Sequence, residues 1–208
     1  MFVRSFFLAT ALVAAVPATA ATIADLYNTG VTNGGVATTG SGADLHWALA
    51  GGTAYTGGTN GSFPIGPWVS DDAGSRWITP TTDAADTLPN GNYTFSTTFD
   101  LTGYSLNGAS ISGDFAADDS ATIFLNGVQI GSGGGFSFIT GFGATTGFVA
   151  GVNMLTFVVL NSGGGPTGLN VDVSGVAFVP EPATWGLMIA GFGMVGYAAR
   201  RRRAAVTA

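Results

Sequence analysis

Apolar and polar residues alternate along much of the chain after Asn92, and this period of two constrains the fold more than any other feature of the sequence. In residues 93–99 the aromatic side chains fall on one face of a strand, while most of the serine and threonine side chains fall on the other. Residues 121–125 and 128–130 are two more apolar runs. Asn126-Gly127 between them is a strong hairpin signal because both residues accept a positive φ. This half of the chain therefore reads as strands rather than helices.

Similar segments extend the prediction along the chain. Further strands are predicted at residues 111–115, 136–142, 146–149, 154–160 and 169–177, with loops at 131–135 and 161–168. The almost wholly apolar run 154–160 predicts a central strand that is buried on both faces. About eight short strands with frequent turn signals predict an all-β fold, a jelly-roll-like β-sandwich. The 34 glycines suit tight turns, and short strands are also expected before residue 92, without defined ends.

The first 20 residues have the three parts of a secretory signal peptide. Arg4 supplies a positive charge, residues 6–16 are apolar, and Pro17 is followed by the small residues Ala18 and Ala20 at the positions that signal peptidase reads. We therefore expect a signal helix at residues 1–20, cleavage after Ala20, and a β domain spanning residues 21–178.

Residues 179–208 form a second terminal segment with its own pattern. The stretch 184–199 lacks charges and has Trp185 and Tyr197 near its two ends, as interfacial anchors would be placed. Four consecutive arginines follow, namely Arg200, Arg201, Arg202 and Arg203. This order predicts a transmembrane helix at 184–199 whose arginines stay in the cytoplasm, which leaves the β domain on the periplasmic side.

The same segment resembles a known sorting signal. Pro180, Glu181 and Pro182, with Trp185 three residues later, an apolar span and a terminal arginine cluster, are similar to the PEP-CTERM sorting domain in its PEPxxW subgroup. Alanine often follows the tryptophan in that subgroup, whereas this chain has Gly186. The resemblance implies recognition by a membrane-embedded exosortase, cleavage near residues 180–182, and transfer from the inner membrane to the cell surface or beyond. It also implies an association with exopolysaccharide production.

Two parts of the β domain resemble galactose-binding-like jelly rolls. Residues 114–127 end a strand in Asn126-Gly127, and after a glycine-rich loop residues 151–159 open another strand with Gly151-Val152-Asn153. The resemblance covers about a third of the domain and implies a fold that hosts many unrelated functions.

The composition excludes several kinds of chemistry. His46 is the only histidine and the chain has no cysteine, so a typical tetrahedral zinc site is excluded, and His46 is expected at the surface or a strand end. There is no lysine for Schiff-base chemistry and no nucleophile elbow. Apart from the two ends, Arg76 is the only basic residue beside all twelve acidic ones, so we expect no nucleic-acid partner.

The acidic residues leave two alternatives open. Asp114, Asp118, Asp119 and Asn126 are hard oxygen ligands of the kind that calcium takes, although their spacing is not that of an EF-hand. The adjacent carboxylates at 71–72 and 118–119 would serve a glycoside hydrolase only if two of them faced each other across a cleft. Aspartates in such loops commonly bind their own backbone instead.

The tryptophans also have two interpretations. Trp47, Trp68 and Trp77 could stack on sugar rings, or they could fill a core that many glycines and alanines leave short of volume. The sequence as a whole therefore predicts a non-enzymatic, exosortase-sorted surface or matrix protein associated with exopolysaccharide. The alternatives are a carbohydrate-binding module, a hydrolase that uses loop carboxylates, and a purely structural module without a ligand.

Overall fold

The computed structural model describes residues 19–57, 65–180 and 184–206. Ala20–Val179 forms one compact unit, and the C-terminal helix belongs to a second. The strands are β1 Thr19–Thr22, β2 Gly42–Ala43, β3 Ala48–Leu49, β4 Tyr55–Thr56, β5 Ile78–Thr79, β6 Gly91–Asp100, β7 Ser105–Asp118, β8 Ser120–Leu125, β9 Val128–Gly133, β10 Thr140–Ala144, β11 Val152–Asn161 and β12 Gly168–Val179. The helix α1 covers Thr184–Val206.

The strands form two antiparallel sheets. The seven-stranded sheet has the order β10-β7-β12-β5-β4-β2, and β1 pairs with β12 outside this path. The five-stranded sheet has the order β3-β6-β11-β8-β9. The core lies between the sheets, where the ring centroid of Phe157 lies 5.5 Å from that of Phe115 and 5.3 Å from that of Phe142. The prediction of an all-β sandwich is therefore confirmed.

The predicted strands are confirmed where apolar residues face the core, and wrong where they do not. The hairpin at 126–127 forms as expected, with φ of 51° at Asn126 and 81° at Gly127. Residues 146–149 are a loop, because Val149 exchanges hydrogen bonds with the Asn153 side chain rather than with a neighbouring strand. Residues 136–139 form a turn before β10, and β9 continues through Gly133 into the predicted loop.

The strand predicted at 154–160 needs a smaller correction. It is central, because β11 pairs with β6 on one side and with β8 on the other. It is buried on one face only, since Met154 is 46% exposed and Leu160 is 43% exposed. The apolar run therefore belongs to a strand that is buried on one face and partly exposed on the other.

The C-terminal segment is helical, but it does not meet the prediction of a transmembrane helix at 184–199. None of the helices in the described part of the chain is long and apolar enough to cross a membrane. The uncharged part of α1 before Arg200 has a length of only about 24 Å, against a hydrocarbon thickness of about 30 Å. The predicted signal helix lies outside the described residues up to position 18, and Ala20 lies in β1.

Candidate functional site

A concave surface on the outer face of the seven-stranded sheet is the candidate site. In the register of β7 with β12, Ser112 lies opposite Ser174 and Asp114 lies opposite Asp172. On the other side of β7, the strand β10 places a glycine opposite each of these two β7 residues. We call this surface the serine–aspartate trough. Its volume is about 630 Å³, and it is lined by Ser112, Gly113, Asp114, Gly141, Phe142, Asp172 and Ser174.

Two glycines of the trough, Gly113 and Gly141, lie where a side chain would crowd neighbouring atoms. A Cβ at Gly141 would lie 3.4 Å from a carboxylate oxygen of Asp114, so any longer side chain would project beside that carboxylate. At Gly113 a Cβ would collide with the carbonyl oxygen of Asp172, because β7 and β12 approach closely there. The ring of Phe142 lies 3.0 Å from the same Cβ position and packs inward against Phe157, perpendicular to its ring.

The loop that precedes β5 lies beside Asp172 of the trough. The Asn28 side chain holds this loop, since its Nδ2 donates to the Gly74 carbonyl oxygen at 2.8 Å and its Oδ1 accepts from the Val173 amide at 2.7 Å. The absence of a side chain at Gly74 lets the loop approach Asp172, because a Cβ there would lie 3.4 Å from its carboxylate. The carboxylate of Asp72 is engaged within the loop, where it accepts from the amides of Gly74 and Ser75.

The four polar side chains of the trough are exposed, and none forms a hydrogen bond to another residue of the described segments. Most other aspartates differ in this respect, because their carboxylates accept hydrogen bonds in turns or loops. Asp114 and Asp172 are also like charges at directly opposed positions of an antiparallel pair, an arrangement that destabilises such pairs. Their polar groups are therefore available to a ligand.

The predicted calcium ligands do not come together. Asp114 lies in the trough, whereas Asp118 lies at the end of the same strand and is buried under Trp68. Asp119 accepts a hydrogen bond of 2.6 Å from the Ser162 amide, while Asn126 lies in the β8–β9 hairpin. Within the described residues no group of three His, Cys, Asp or Glu side chains could hold a metal ion.

Asn126 has a structural partner. Its Nδ2 donates to Oδ1 of Asn153 at 2.8 Å, and its Oδ1 accepts from the Met154 amide. Asn153 is fully buried, and its Nδ2 donates to the carbonyl oxygens of Val149 and Gly151. The Asn-Gly and Gly-x-Asn features behind the jelly-roll resemblance therefore lock the β8–β9 hairpin to the start of β11.

Asp118 is the acidic residue with the most perturbed environment. Burial raises its pKa from the ordinary value of 3.8 to about 6, and the neighbouring Asp119 carboxyl acts in the same direction. A hydrogen bond of 2.7 Å from Trp68 Nε1 to Oδ2 opposes this rise. Only 8% of Asp118 is exposed, so its carboxyl lies beneath the tryptophan rather than in the trough.

The three tryptophans lie in the interior. Trp68 and Trp77 stack on each other with ring centroids 4.1 Å apart, packed with Ala116, and are 7% and 0% exposed. Trp47 is 3% exposed, lies edge-on to Phe157, and donates from Nε1 to the Tyr27 carbonyl oxygen. None of the three presents an indole face at the surface, as stacking on a sugar would require.

His46 lies beside Trp47 and is partly buried. Its ring stacks on Tyr27 with centroids 3.6 Å apart, and its Nε2 has no hydrogen-bond partner among the described residues. Asp44 accepts from the amides of Gly30, His46 and Trp47, and burial raises its pKa despite these hydrogen bonds. The arrangement orders the loop between β2 and β3.

Most of the trough is not predicted from the sequence. Of its polar residues only Asp114 is a predicted site residue, as a calcium ligand. A signal was present, because Ser112 and Asp114 in one strand, and Asp172 and Ser174 in another, are polar residues at alternate positions of segments whose other face is apolar. Their pairing across β7 and β12 depends on a register that the sequence does not reveal.

The sorting residues are described only in part. Pro180 is exposed directly after β12, whereas Glu181 and Pro182 lie outside the described residues. Trp185 lies in the first turn of α1, and the four arginines lie in its last two turns. Ala18 of the predicted signal-peptidase site also lies outside the described residues, while Ala20 is exposed in β1.

These features define a β-sandwich protein with a C-terminal sorting segment. Residues 178–203 match the family described as PEP-CTERM protein-sorting motif, which confirms the resemblance noted in the sequence. A search among curated proteins finds no match.

Several solved structures are similar to the chain. A lectin from Pleurotus ostreatus in complex with GalNAc is 25% identical with a TM-score of 0.43, over 54% of this chain and 32% of the lectin. A family 29 carbohydrate-binding module is 11% identical with a TM-score of 0.40, over 79% of this chain and 87% of the module. The chain thus spans about a third of the lectin's length. At TM-scores below 0.5 these similarities transfer no ligand to this chain.

Proposed function

We propose that this chain is an exported protein that an exosortase-type enzyme recognises at residues 180–185 and delivers to the cell surface or the extracellular space. There its β-sandwich associates with exopolysaccharide and catalyses no reaction. The observation that carries the proposal is the sorting-motif match at residues 178–203. The match begins within the last residues of β12, so the motif follows the folded domain without a linker.

The N-terminal end of the domain suits removal of a signal peptide by signal peptidase after Ala20. Thr19 and Ala20 are exposed, whereas Ile23 is 2% exposed and belongs to the core. Cleavage after Ala20 removes none of the core residues in the described part of the chain and leaves Ala21 and Thr22 to pair with β12.

The positions of the carboxylates favour a binding role over a hydrolytic one. A glycoside hydrolase uses one carboxylic acid kept protonated by its surroundings and a second carboxylate across the cleft. Asp118 is the carboxyl whose pKa is raised to about 6, and it is covered by Trp68. Asp114 and Asp172 are cross-strand neighbours on an exposed sheet face rather than a pair facing each other across a cleft.

The sorting part of the proposal is tested in cells that encode an exosortase. The intact mass of the wild-type product should lack residues 1–20 and everything beyond the region of residues 180–182. Replacing Pro180, Glu181 and Pro182 together by alanine should leave a cell-associated product that keeps its terminal arginines. Thr98→Ala, an exposed change within β6, serves as the control and should be processed like the wild type.

Two outcomes would contradict the sorting proposal. Normal processing of the triple-alanine variant would show that the motif is not read. Unchanged processing of the wild type in cells that lack the exosortase would assign the cleavage to another protease. The control distinguishes both outcomes from a general defect in export.

A further inference from the structure

We propose that the serine–aspartate trough is a binding site for a neutral polysaccharide, whose hydroxyl groups donate to the carboxylates of Asp114 and Asp172 and exchange hydrogen bonds with Ser112 and Ser174. This inference rests on the proposed association with exopolysaccharide and names the binding site and the chemical class of the polymer.

The geometry presents four oxygen-bearing side chains on one face of the sheet. Neighbouring strands in a sheet are about 4.8 Å apart, and residues two apart along a strand are separated by about 6.8 Å. The two serines therefore form one rung across β7 and β12, and the two aspartates form the next. Ionised carboxylates only accept hydrogen bonds and serine hydroxyls both donate and accept, which together complement the adjacent hydroxyls of a sugar ring.

The described residues do not compensate the negative charges of Asp114 and Asp172, whereas a bound ligand would do so. Two carboxylates at directly opposed positions repel each other. No cation and no hydrogen bond from another described residue offsets that repulsion. Hydroxyl groups that donate to both carboxylates at once would offset it. Charge-assisted hydrogen bonds of this kind are stronger than hydrogen bonds between neutral groups.

The shape of the surface suits a polymer. A second concavity of about 210 Å³ shares Ser112 and Ser174 with the trough and continues past Ser110 and Thr22. Both concavities therefore follow the strand direction on one sheet face, and the continuation is also lined by hydroxyl groups. At the other edge, Gly141 and Gly143 leave β10 without side chains that would obstruct a chain lying across it.

The charges indicate that the polymer is neutral. Two aspartates at the centre of the trough would repel uronic acids, sulfate and phosphate. Arg76, the only basic residue of the β domain, is already engaged by the Asp71 carboxylate and by the carbonyl oxygens of Thr38 and Gly40. A cation alone fits poorly, because two carboxylates and two hydroxyls provide few of the ligands that calcium takes.

The test measures retardation of the full chain in native gels that contain dextran, mannan or galactan as neutral polymers, or alginate as an acidic one. EDTA is present throughout, and mobility is normalised to a polymer-free gel. We expect retardation by at least one neutral polymer and none by alginate. The Asp114→Asn, Asp172→Asn double variant should bind at least tenfold more weakly.

Two further variants separate binding from folding. Gly141→Val keeps every polar group, adds a residue that favours strands, and fills the trough beside Asp114, so it should also abolish retardation while the melting temperature stays unchanged or rises. Asp86→Asn removes one charge from an exposed loop outside the trough, and it should bind like the wild type.

Each result decides between the hypotheses. If the double variant and Gly141→Val are both retarded like the wild type, the trough is not the binding site, although the association with polysaccharide stands. No retardation by any neutral polymer would overturn both, while the sorting test above would be unaffected. Equal retardation by alginate would overturn the neutral class, and binding seen only when calcium replaces EDTA would reassign the trough to a metal.

Discussion

The replacement Asp118→Asn should stabilise the protein at neutral pH, although it removes a hydrogen-bonded carboxylate. The folded protein raises the pKa of this carboxyl from 3.8 to about 6, mainly by burial, so the folded state favours the protonated form. The stability that this preference contributes is fully present below about pH 4 and is lost as the pH rises through about 6. Asparagine stays neutral at every pH and can still accept the hydrogen bond from Trp68 Nε1.

The size of the effect follows from the pKa shift. A rise of about two pH units corresponds to at most roughly 3 kcal/mol in the free energy of unfolding. Burying the asparagine NH2 group in place of the protonated carboxyl, at a position that is only 8% exposed, offsets part of that amount. We therefore expect the free energy of unfolding of the variant to be about 1–2 kcal/mol higher than that of the wild type at pH 7.5. This difference should shrink towards zero at pH 4.

Urea unfolding followed by tryptophan fluorescence measures this difference, because Trp68 contacts the substituted residue. Both proteins are compared at each pH from 4 to 8, so that the titration of other groups cancels, including that of Asp44 and Asp71, whose pKa values are also raised by burial. Asp86→Asn is the control for loss of an exposed charge. A variant less stable than the wild type at pH 7.5, or a difference independent of pH, would refute the reasoning.

Two further substitutions test the packing around the site. Asn153→Ala should lower the free energy of unfolding by about 2–3 kcal/mol, because it removes hydrogen bonds to Val149 and Asn126. Urea unfolding measures the loss, with the exposed change Asn92→Ala as the control. A loss below about 0.5 kcal/mol would contradict the prediction. Trp68→Phe removes the hydrogen bond that lowers the pKa of Asp118, so this pKa should rise further. The stability difference between Trp68→Phe with and without Asp118→Asn should then have a higher pH midpoint than the same difference in the wild-type background. An unchanged midpoint would show that the hydrogen bond has no effect on the pKa.

The sequence predicted those strands whose faces differ in chemistry. β6 follows the alternation of residues 93–99, with Phe95 and Phe99 buried and Thr98 exposed, because one face of this strand packs on the core. Residues 146–149 carry apolar residues too, but they pair with no strand of the described residues, and local apolarity could not reveal that a buried asparagine would bind their backbone.

The candidate site was less predictable because it depends on the register in which β7 pairs with β12. Asp114 and Asp172 are far apart in the chain and become neighbours only when β7 pairs with β12. A shift of one residue would turn Asp172 towards the core, so the buried Val171 and Val173 beside it enforce the pairing that builds the trough. The core thus sets the geometry of the outer face.

The proposed processing sites fit the limits of this core. Among the described residues, Ile23 is the first of this core and Ala177 the last, so proposed cuts after Ala20 and near Pro180 fall just outside it. The two ends are also neighbours, because β1 pairs with β12. A domain that completes its core between the cuts keeps its fold when both end segments are removed. The same β12 that carries Asp172 in the trough leads directly into the sorting motif, so the binding surface can form before the tail is processed.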